Sequence, residues 1–249
     1  MALQEEFESQ GNFLFRHRSF LPIIIVVVGL FVFVINRISA TYSPNFDYHI
    51  LEYISLAVSL LGLFIRIYTV GHTPAKTSGR NTKVGQLAEE LNQTGIYSTV
   101  RHPLYLGNFF MWLGAAILCE NLWFVIAFTL MYWIYYERIM YAEEQFLRRK
   151  FGASYTDWAA KTSAFLPSFK QFSKPKYPFS AKKILKREKN GLLAIFVLLF
   201  VFHNIGYSIE VQKIAVDCNW ICYGTIASGI FYVAIKMLQK SNLLHEQGR

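Results

Sequence analysis

Six stretches of this chain are almost unbroken in apolar character, and polar segments separate them. They run from Phe20 to Ile38, Tyr48 to Val70, Leu104 to Cys119, Leu122 to Ala142, Gly191 to Ile209 and Trp220 to Met237. Most approach the ~20 residues that a helix needs to cross a bilayer. The third is short, about 24 Å at 1.5 Å per residue. The pattern predicts an all-α integral membrane protein, a bundle of about six transmembrane helices in a single domain over 1–249. Thr41–Asp47, with Pro44 and Asn45, reads as an outer loop, and Glu120-Asn121 as a tight outer turn. Gly71–Val100 and Glu143–Asn190 read as polar loops, with a helical turn or two over Leu87–Leu91. Met1–Ser19 mixes Glu5, Glu6 and Glu8 with Arg16, His17 and Arg18 and reads as a solvated lead-in. The first apolar run starts too late and is too long for a cleaved secretory signal.

Composition supports the membrane reading. The chain is 53% hydrophobic and only 16% charged, far from a soluble average. A net charge of +9 would suit nucleic acid, but the cations cluster at the ends of the apolar runs. They fit anionic lipid instead, so the bilayer is the expected partner and nucleic acid is not. Lys76, Arg80, Lys83 and Arg101 lie before the third run. Arg148, Arg149, Lys150, Lys182, Lys183, Lys186 and Arg187 lie between the fourth and fifth, while the opposite side holds only Arg37 and Lys213. The positive-inside rule then puts both termini and both basic loops in the cytoplasm.

Charges inside apolar runs are expensive and are usually paired or functional, which marks Glu52, Arg66, Glu137 and Arg138. His203 and Asn204 read as interhelical hydrogen-bonding groups. Cys119, Cys218 and Cys222 offer no Cys-x-x-Cys and no zinc spacing, so no metal is expected and the thiols read as buried and free. No P-loop, Rossmann glycine pattern or serine-nucleophile elbow is present.

The densest chemistry lies in Thr94–Gly107, where Tyr97, Arg101, His102, Pro103, Leu104 and Tyr105 precede a hydrophobic run. Pro103 suits the first turn of a helix, whose free N–H groups and flanking cations favour an anion. The third and fourth runs form an antiparallel hairpin, so His102 and the acidic pair Glu143-Glu144 reach the same rim. Alone, Arg101 would read as a snorkelling anchor. Glu143 and Glu144 would read as end-of-helix charges pairing with Arg148.

Arg101-His102-Pro103-x-Tyr105-x-Gly107, a hydrophobic hairpin, Glu143-Glu144 and Phe151-Gly152-Ala153-Ser154-Tyr155 together resemble the isoprenylcysteine carboxyl and phospholipid methyltransferase superfamily, over roughly Gly62 to Pro167. The resemblance implies S-adenosylmethionine as cofactor, held at Tyr97, His102, Pro103, Leu104, Tyr105 and Glu143 or Glu144, at a cytoplasmic-side site. One position departs: the arginine that the prenylcysteine enzymes place four residues before the first glutamate is Ile139 here, with Arg138 beside it. That puts a prenylcysteine acceptor in doubt.

The Thr77–Thr82 segment and the helical hairpin over 191–237 resemble a bacterial branch associated with the lipid A 1-phosphate, which implies an inner-membrane location. Arg101, Arg80 and Arg138 are then the expected catalytic cations, orienting an anionic oxygen of a lipid acceptor. Phosphatidylethanolamine and prenylcysteine stay open as acceptors. So do a sterol-reductase-like oxidoreductase using NADPH and a non-catalytic lipid-binding protein. Oligomeric state is open as well.

Overall fold

The apolar runs become helices in a computed structural model that describes residues 2–39, 48–74, 88–241 and 243–244. Among the described residues there are eight α-helices and no strand. They are α1 (Leu3–His17), α2 (Leu21–Ile38), α3 (Tyr48–Gly71), α4 (Pro103–Ile117), α5 (Leu122–Phe151), α6 (Ala153–Ala159), α7 (Ala181–Glu210) and α8 (Trp220–Lys240), with 3-10 turns at Ile96–Ser98 and Phe169–Gln171.

Each predicted apolar run lies on a helix. Three of these, α3, α7 and α8, are long and apolar enough to cross a membrane, and the bent pair α1–α2 makes up to four. The other two predicted spans differ in kind. α4 has 15 residues, about 22 Å, short of a ~30 Å hydrocarbon core. α5 is long, but Tyr132, Tyr135, Tyr136, Glu137 and Arg138 dilute its middle. Phe31, Phe64, Leu130, Trp133 and Ile230 all project outward, as side chains facing lipid do.

Side-chain caps start three helices. Asn121 accepts from Phe124 N at the head of α5, Ser180 from Lys183 N at α7, and Asn219 from Ile221 N at α8; such caps satisfy donors that the first turn leaves open. Helices in lipid gain little from apolar burial against one another and rely on close packing. α3 and α4 show this at Gly62 and Gly107: a Cβ on Gly62 would sit 2.4 Å from the Gly107 carbonyl oxygen. Ser55 Oγ donates to Gly114 O (2.7 Å) along the same seam.

Two apolar cores result. One gathers Phe15, Tyr105, Phe128, Tyr132, Tyr136, Ile139 and Phe165 around α1, α4 and α5. The other gathers Phe33, Leu63, Leu199, Phe202 and Ile221 among α2, α3, α7 and α8.

Four expectations change. The amino-terminal stretch is a docked helix, not a solvated lead-in, because Gly11 and Phe15 bury against α5. The second polar loop is largely helical: α5 continues to Phe151 and α7 begins at Ala181. Polar composition hid a buried face there, since Lys183, Ile184, Glu188 and Lys189 are all enclosed. Of the predicted turn over Leu87–Leu91, residues 88–91 are not helical. Cys119 and Cys222 are buried free thiols, but Cys218 is exposed.

The intramembrane charges are paired. Glu52 Oε1 lies 2.5 Å from His203 Nδ1. Arg66 donates to both Glu188 oxygens (2.8 and 2.9 Å) and to Asn108 (2.5 Å). With Glu52, His203 makes the interhelical bond read for it, whereas Asn204 accepts from Asp217 N (2.8 Å) in the loop before α8 and donates to Phe200 O of its own helix.

Candidate active site

Local chain geometry fixes the motif stretch before any ligand is considered. Residues 95–102 lie against 163–173: Gly95 N donates to Ser173 O, Arg101 N to Ser163 O, His102 N to Ala164 O, and Ser168 N returns to Thr99 O, all within 2.9–3.2 Å. Trp158 Nε1 donates to Tyr97 O (3.1 Å). Pro103 begins α4 and Tyr132 donates to Tyr105 O (2.7 Å), so the first turn of α4 is clamped on α5.

The two glutamates, adjacent in sequence, are turned about 100° apart on α5 and have different partners. Glu144 accepts from Arg101 Nε (2.8 Å) and His102 Nε2 (2.9 Å). Arg101 also donates from Nη1 to the carbonyls of Ala159 and Thr162, both at 2.7 Å. Glu143 accepts from the Tyr105 hydroxyl (3.0 Å) and lies 3.6 Å from His102 Nδ1. His102 stacks on Tyr105, ring centroids 5.6 Å apart.

Burial disfavours charge on all three groups, but they sustain one another. Hydrogen bonds and charge from Glu143 and Glu144 outweigh burial at His102 and raise its pKa to about 9. Burial raises the Glu144 pKa, but His102 and Arg101 win and hold it at about 2. Glu143 is likewise held low against burial, by His102 and Tyr105. Burial and then the Glu143 charge push the Tyr97 hydroxyl well up. At neutral pH the rim therefore holds an imidazolium between two carboxylates.

A cavity of about 360 Å³ opens beside this cluster, within the range of small-molecule sites. Tyr97, Arg101, His102, Pro103, Leu104, Tyr105 and Glu143 line it, which brings together most of the residues marked in the sequence. Glu144 and Arg138 do not line it. Arg138 stacks over Phe7 on α1, 3.4 Å from the ring centroid, and bonds to Glu137; Ile139 is fully buried in the core. The segment holding Lys76, Arg80 and Lys83 lies outside the described residues.

The cavity also takes Arg66, marked in the sequence as a paired or functional charge, and residues that the sequence reading missed: Phe15 and Arg18 from the amino-terminal segment, Asn108, and Lys183, Arg187 and Glu188 from α7. Ser180 before a run containing Ile184 was the available signal for the α7 extension. Among the described residues no His, Cys, Asp and Glu group is arranged for a metal.

Residues 51–154 match the phospholipid methyltransferase family. That span contains the cavity motif, the hairpin and both glutamates. The chain is 33% identical over 127 residues to "Probable protein-S-isoprenylcysteine O-methyltransferase" of Oryza sativa subsp. indica, covering 49% of this chain and 63% of the relative. It is 29% identical over 179 residues to the "Protein-S-isoprenylcysteine O-methyltransferase" of Tribolium castaneum, covering 62% of each. A third relative, the "Nickel-cobalt-cadmium resistance protein NccN" of Alcaligenes xylosoxydans xylosoxydans, is 29% identical over 65% of this chain and 70% of its own. The chain thus spans less than two thirds of the first two relatives. No solved structure matches it. These similarities support the methyltransferase superfamily and do not reach a lipid A branch.

Proposed function

We propose that the cavity binds S-adenosylmethionine and that the protein methylates an anionic oxygen of a lipid-linked acceptor, a carboxylate or phosphate, at the cytoplasmic face. The observation that carries this reading is Glu143, which enters the cavity beside Tyr97, His102 and Tyr105. The donor set suits the cofactor: a carboxylate for its ammonium, cations for its carboxylate, and aromatic faces at Tyr97, Phe146 and Trp158 for a base or a sulfonium. When bound, S-adenosylmethionine supplies an activated methyl group.

The chain's own contribution is then to align and to exclude water. His102 is an imidazolium at neutral pH with both nitrogens turned to carboxylates, so it holds its proton and is no general base. An amine acceptor needs a base; an ionised oxygen does not. Arg66, Lys183 and Arg187 make the α3–α7 side of the cavity cationic, as such an acceptor requires. Arg101 belongs to the frame that aims His102 and Glu144. Within this class, the relatives' names favour a carboxylate. Against a prenylcysteine stands Ile139, buried where those enzymes place an arginine. A lipid-borne phosphate such as the lipid A 1-phosphate is the alternative that the cationic side would also hold.

Two measurements test the reading. The solubilised protein should be stabilised by S-adenosylmethionine and not by NADPH. Stabilisation by NADPH alone would favour the reductase-like alternative, and stabilisation by neither a non-catalytic one. Lipid extracts of cells with and without the gene should differ by a one-methyl mass increment on an oxygen. N-methyl product alone would refute the anionic-oxygen acceptor.

A further inference from the structure

α7 carries its cations on two faces. Lys183 and Arg187 line the cavity. Lys182, Lys186 and Lys189 follow an i, i+4, i+7 spacing, which at about 100° per residue makes a separate row. That row faces α8. Lys189 Nζ lies 5.9 Å from the Tyr232 ring centroid. Further along the row, the Phe196 ring would meet a Cβ on Gly224 at 2.4 Å, and the Phe196 carbonyl accepts from Thr225 Oγ1 (3.0 Å). α8 answers with Tyr232, Lys236 and Lys240, spaced i, i+4, i+8. Lys236 Nζ lies 5.7 Å from the same ring centroid. Ammonium groups from both helices thus share one aromatic ring.

The protein does not neutralise them. Lys189 is only 8% exposed, yet its Nζ donates to a neutral group, the Lys186 carbonyl (2.7 Å). An ammonium has three donors. Among the described residues no carboxylate pairs with Lys182, Lys186, Lys189, Lys236 or Lys240; Glu188, the acid beside Lys189 in sequence, accepts from Arg66 instead. A buried charge in a membrane protein calls for a counter-charge. Depth indicates its source. The apolar run of α7 begins at Gly191 and that of α8 ends at Met237, so Lys189 and Lys236 stand where hydrocarbon gives way to headgroups. A tyrosine between them suits the same level.

The space on the hydrocarbon side of these lysines is open. A Cβ on Gly229, three residues before Tyr232, would meet nothing within 4 Å, although the seam is closed at Gly224. Ile226, Ile230 and Val233 flank this opening and project outward. Cations at headgroup depth above open apolar space match a phospholipid of net negative charge. A zwitterionic headgroup would bring its own cation to the same lysines. We propose that the polar end of the α7–α8 seam binds one anionic phospholipid, its phosphate held by Lys189 and Lys236 and an acyl chain running past Gly229. The site uses a different face of α7 from the cavity and does not depend on which cofactor the cavity takes.

The test is a thermal titration of the full-length protein in neutral detergent with dioleoylphosphatidylglycerol, dioleoylphosphatidylcholine or inorganic phosphate. The glycerol lipid should raise the melting midpoint saturably, at a mole fraction in the micelle about tenfold or more below that of the choline lipid, and inorganic phosphate should not raise it. Lys189→Gln/Lys236→Gln should need roughly tenfold to thirtyfold more of the glycerol lipid. Gly229→Leu, with both lysines present, should weaken the same response. Lys161→Gln/Lys170→Gln removes equal charge from exposed positions elsewhere and should change nothing. Lys236→Gln alone, at an exposed position, should show part of the loss and serves if the double variant melts lower without lipid. Equal response to the two lipids would overturn the proposal. So would the same shift from inorganic phosphate, which would mark a free-anion site. An equal loss in the Lys161/Lys170 variant would reduce the effect to net charge, and an undiminished response in the seam variants would place the lipid elsewhere; either result refutes the site.

Discussion

Neutralising Glu143 and neutralising Glu144 should give opposite phenotypes. Glu144 is shared by Arg101 and His102 and does not line the cavity. Its pKa lies at about 2 against an ordinary 4.5, and the difference corresponds to roughly 3 kcal/mol of folded-state stabilisation. Glu144→Gln keeps the shape, removes that charge, and leaves Arg101 and His102 facing an amide. The expected loss is roughly 2–3 kcal/mol of stability, read as a lowered melting midpoint of the cofactor-free protein. Glu143 contributes fewer contacts to the frame, one from Tyr105 at 3.0 Å and a longer approach to His102 at 3.6 Å. Glu143→Gln should therefore unfold close to wild type but lose about 1.5–3 kcal/mol of cofactor binding, a tenfold to hundredfold rise in Kd by calorimetry. The reverse pattern, with Glu144→Gln stable and unable to bind and Glu143→Gln unstable and binding normally, would refute this division of roles.

The same cluster sets a pH dependence. The His102 contribution is complete below its ordinary 6.5 and is lost as pH rises through about 9, so the thermal midpoint should fall over that window and His102→Gln should flatten the fall. Glu144 acts in the other direction: its contribution is present above 4.5 and is lost as pH falls toward 2. Gly62→Ala drives a methyl to within 2.4 Å of the Gly107 oxygen and should cost about 1–3 kcal/mol, measured as a drop in midpoint with cofactor specificity unchanged. Single cysteines replacing Lys150 and Gln212 should label from opposite faces of the membrane, with Lys150 cytoplasmic; labelling from one face would refute the six-span topology.

The helices were legible because apolar runs write themselves into sequence, and α4 was legible to its first residue because Pro103 marks it. The site was legible in part. A motif before one helix and acids after the next must converge when the two form a hairpin, and Tyr97, His102, Tyr105 and Glu143 do line one cavity. The separate roles of Glu143 and Glu144 were not legible, because helix rotation, not residue type, distinguishes neighbours. Arg138 looked like a cavity cation until α1 was found packed on its side of α5. α1 was misread because its seat depends on Gly11, where the absence of a side chain carries the signal. The start of α7 was hidden because Lys183 and Glu188 bury against backbone carbonyls and Arg66, partners remote in sequence.

The cavity lies at the amino-terminal end of α4, a helix of 15 residues among longer neighbours. For an acceptor that never leaves its leaflet, the search for this opening is two-dimensional. The relevant concentration is then moles of acceptor per area of surface, not per volume of solution. Turnover in mixed micelles should fall as inert detergent dilutes the acceptor within the micelle, even at constant bulk acceptor, while saturation by the water-soluble donor stays governed by its ordinary molarity.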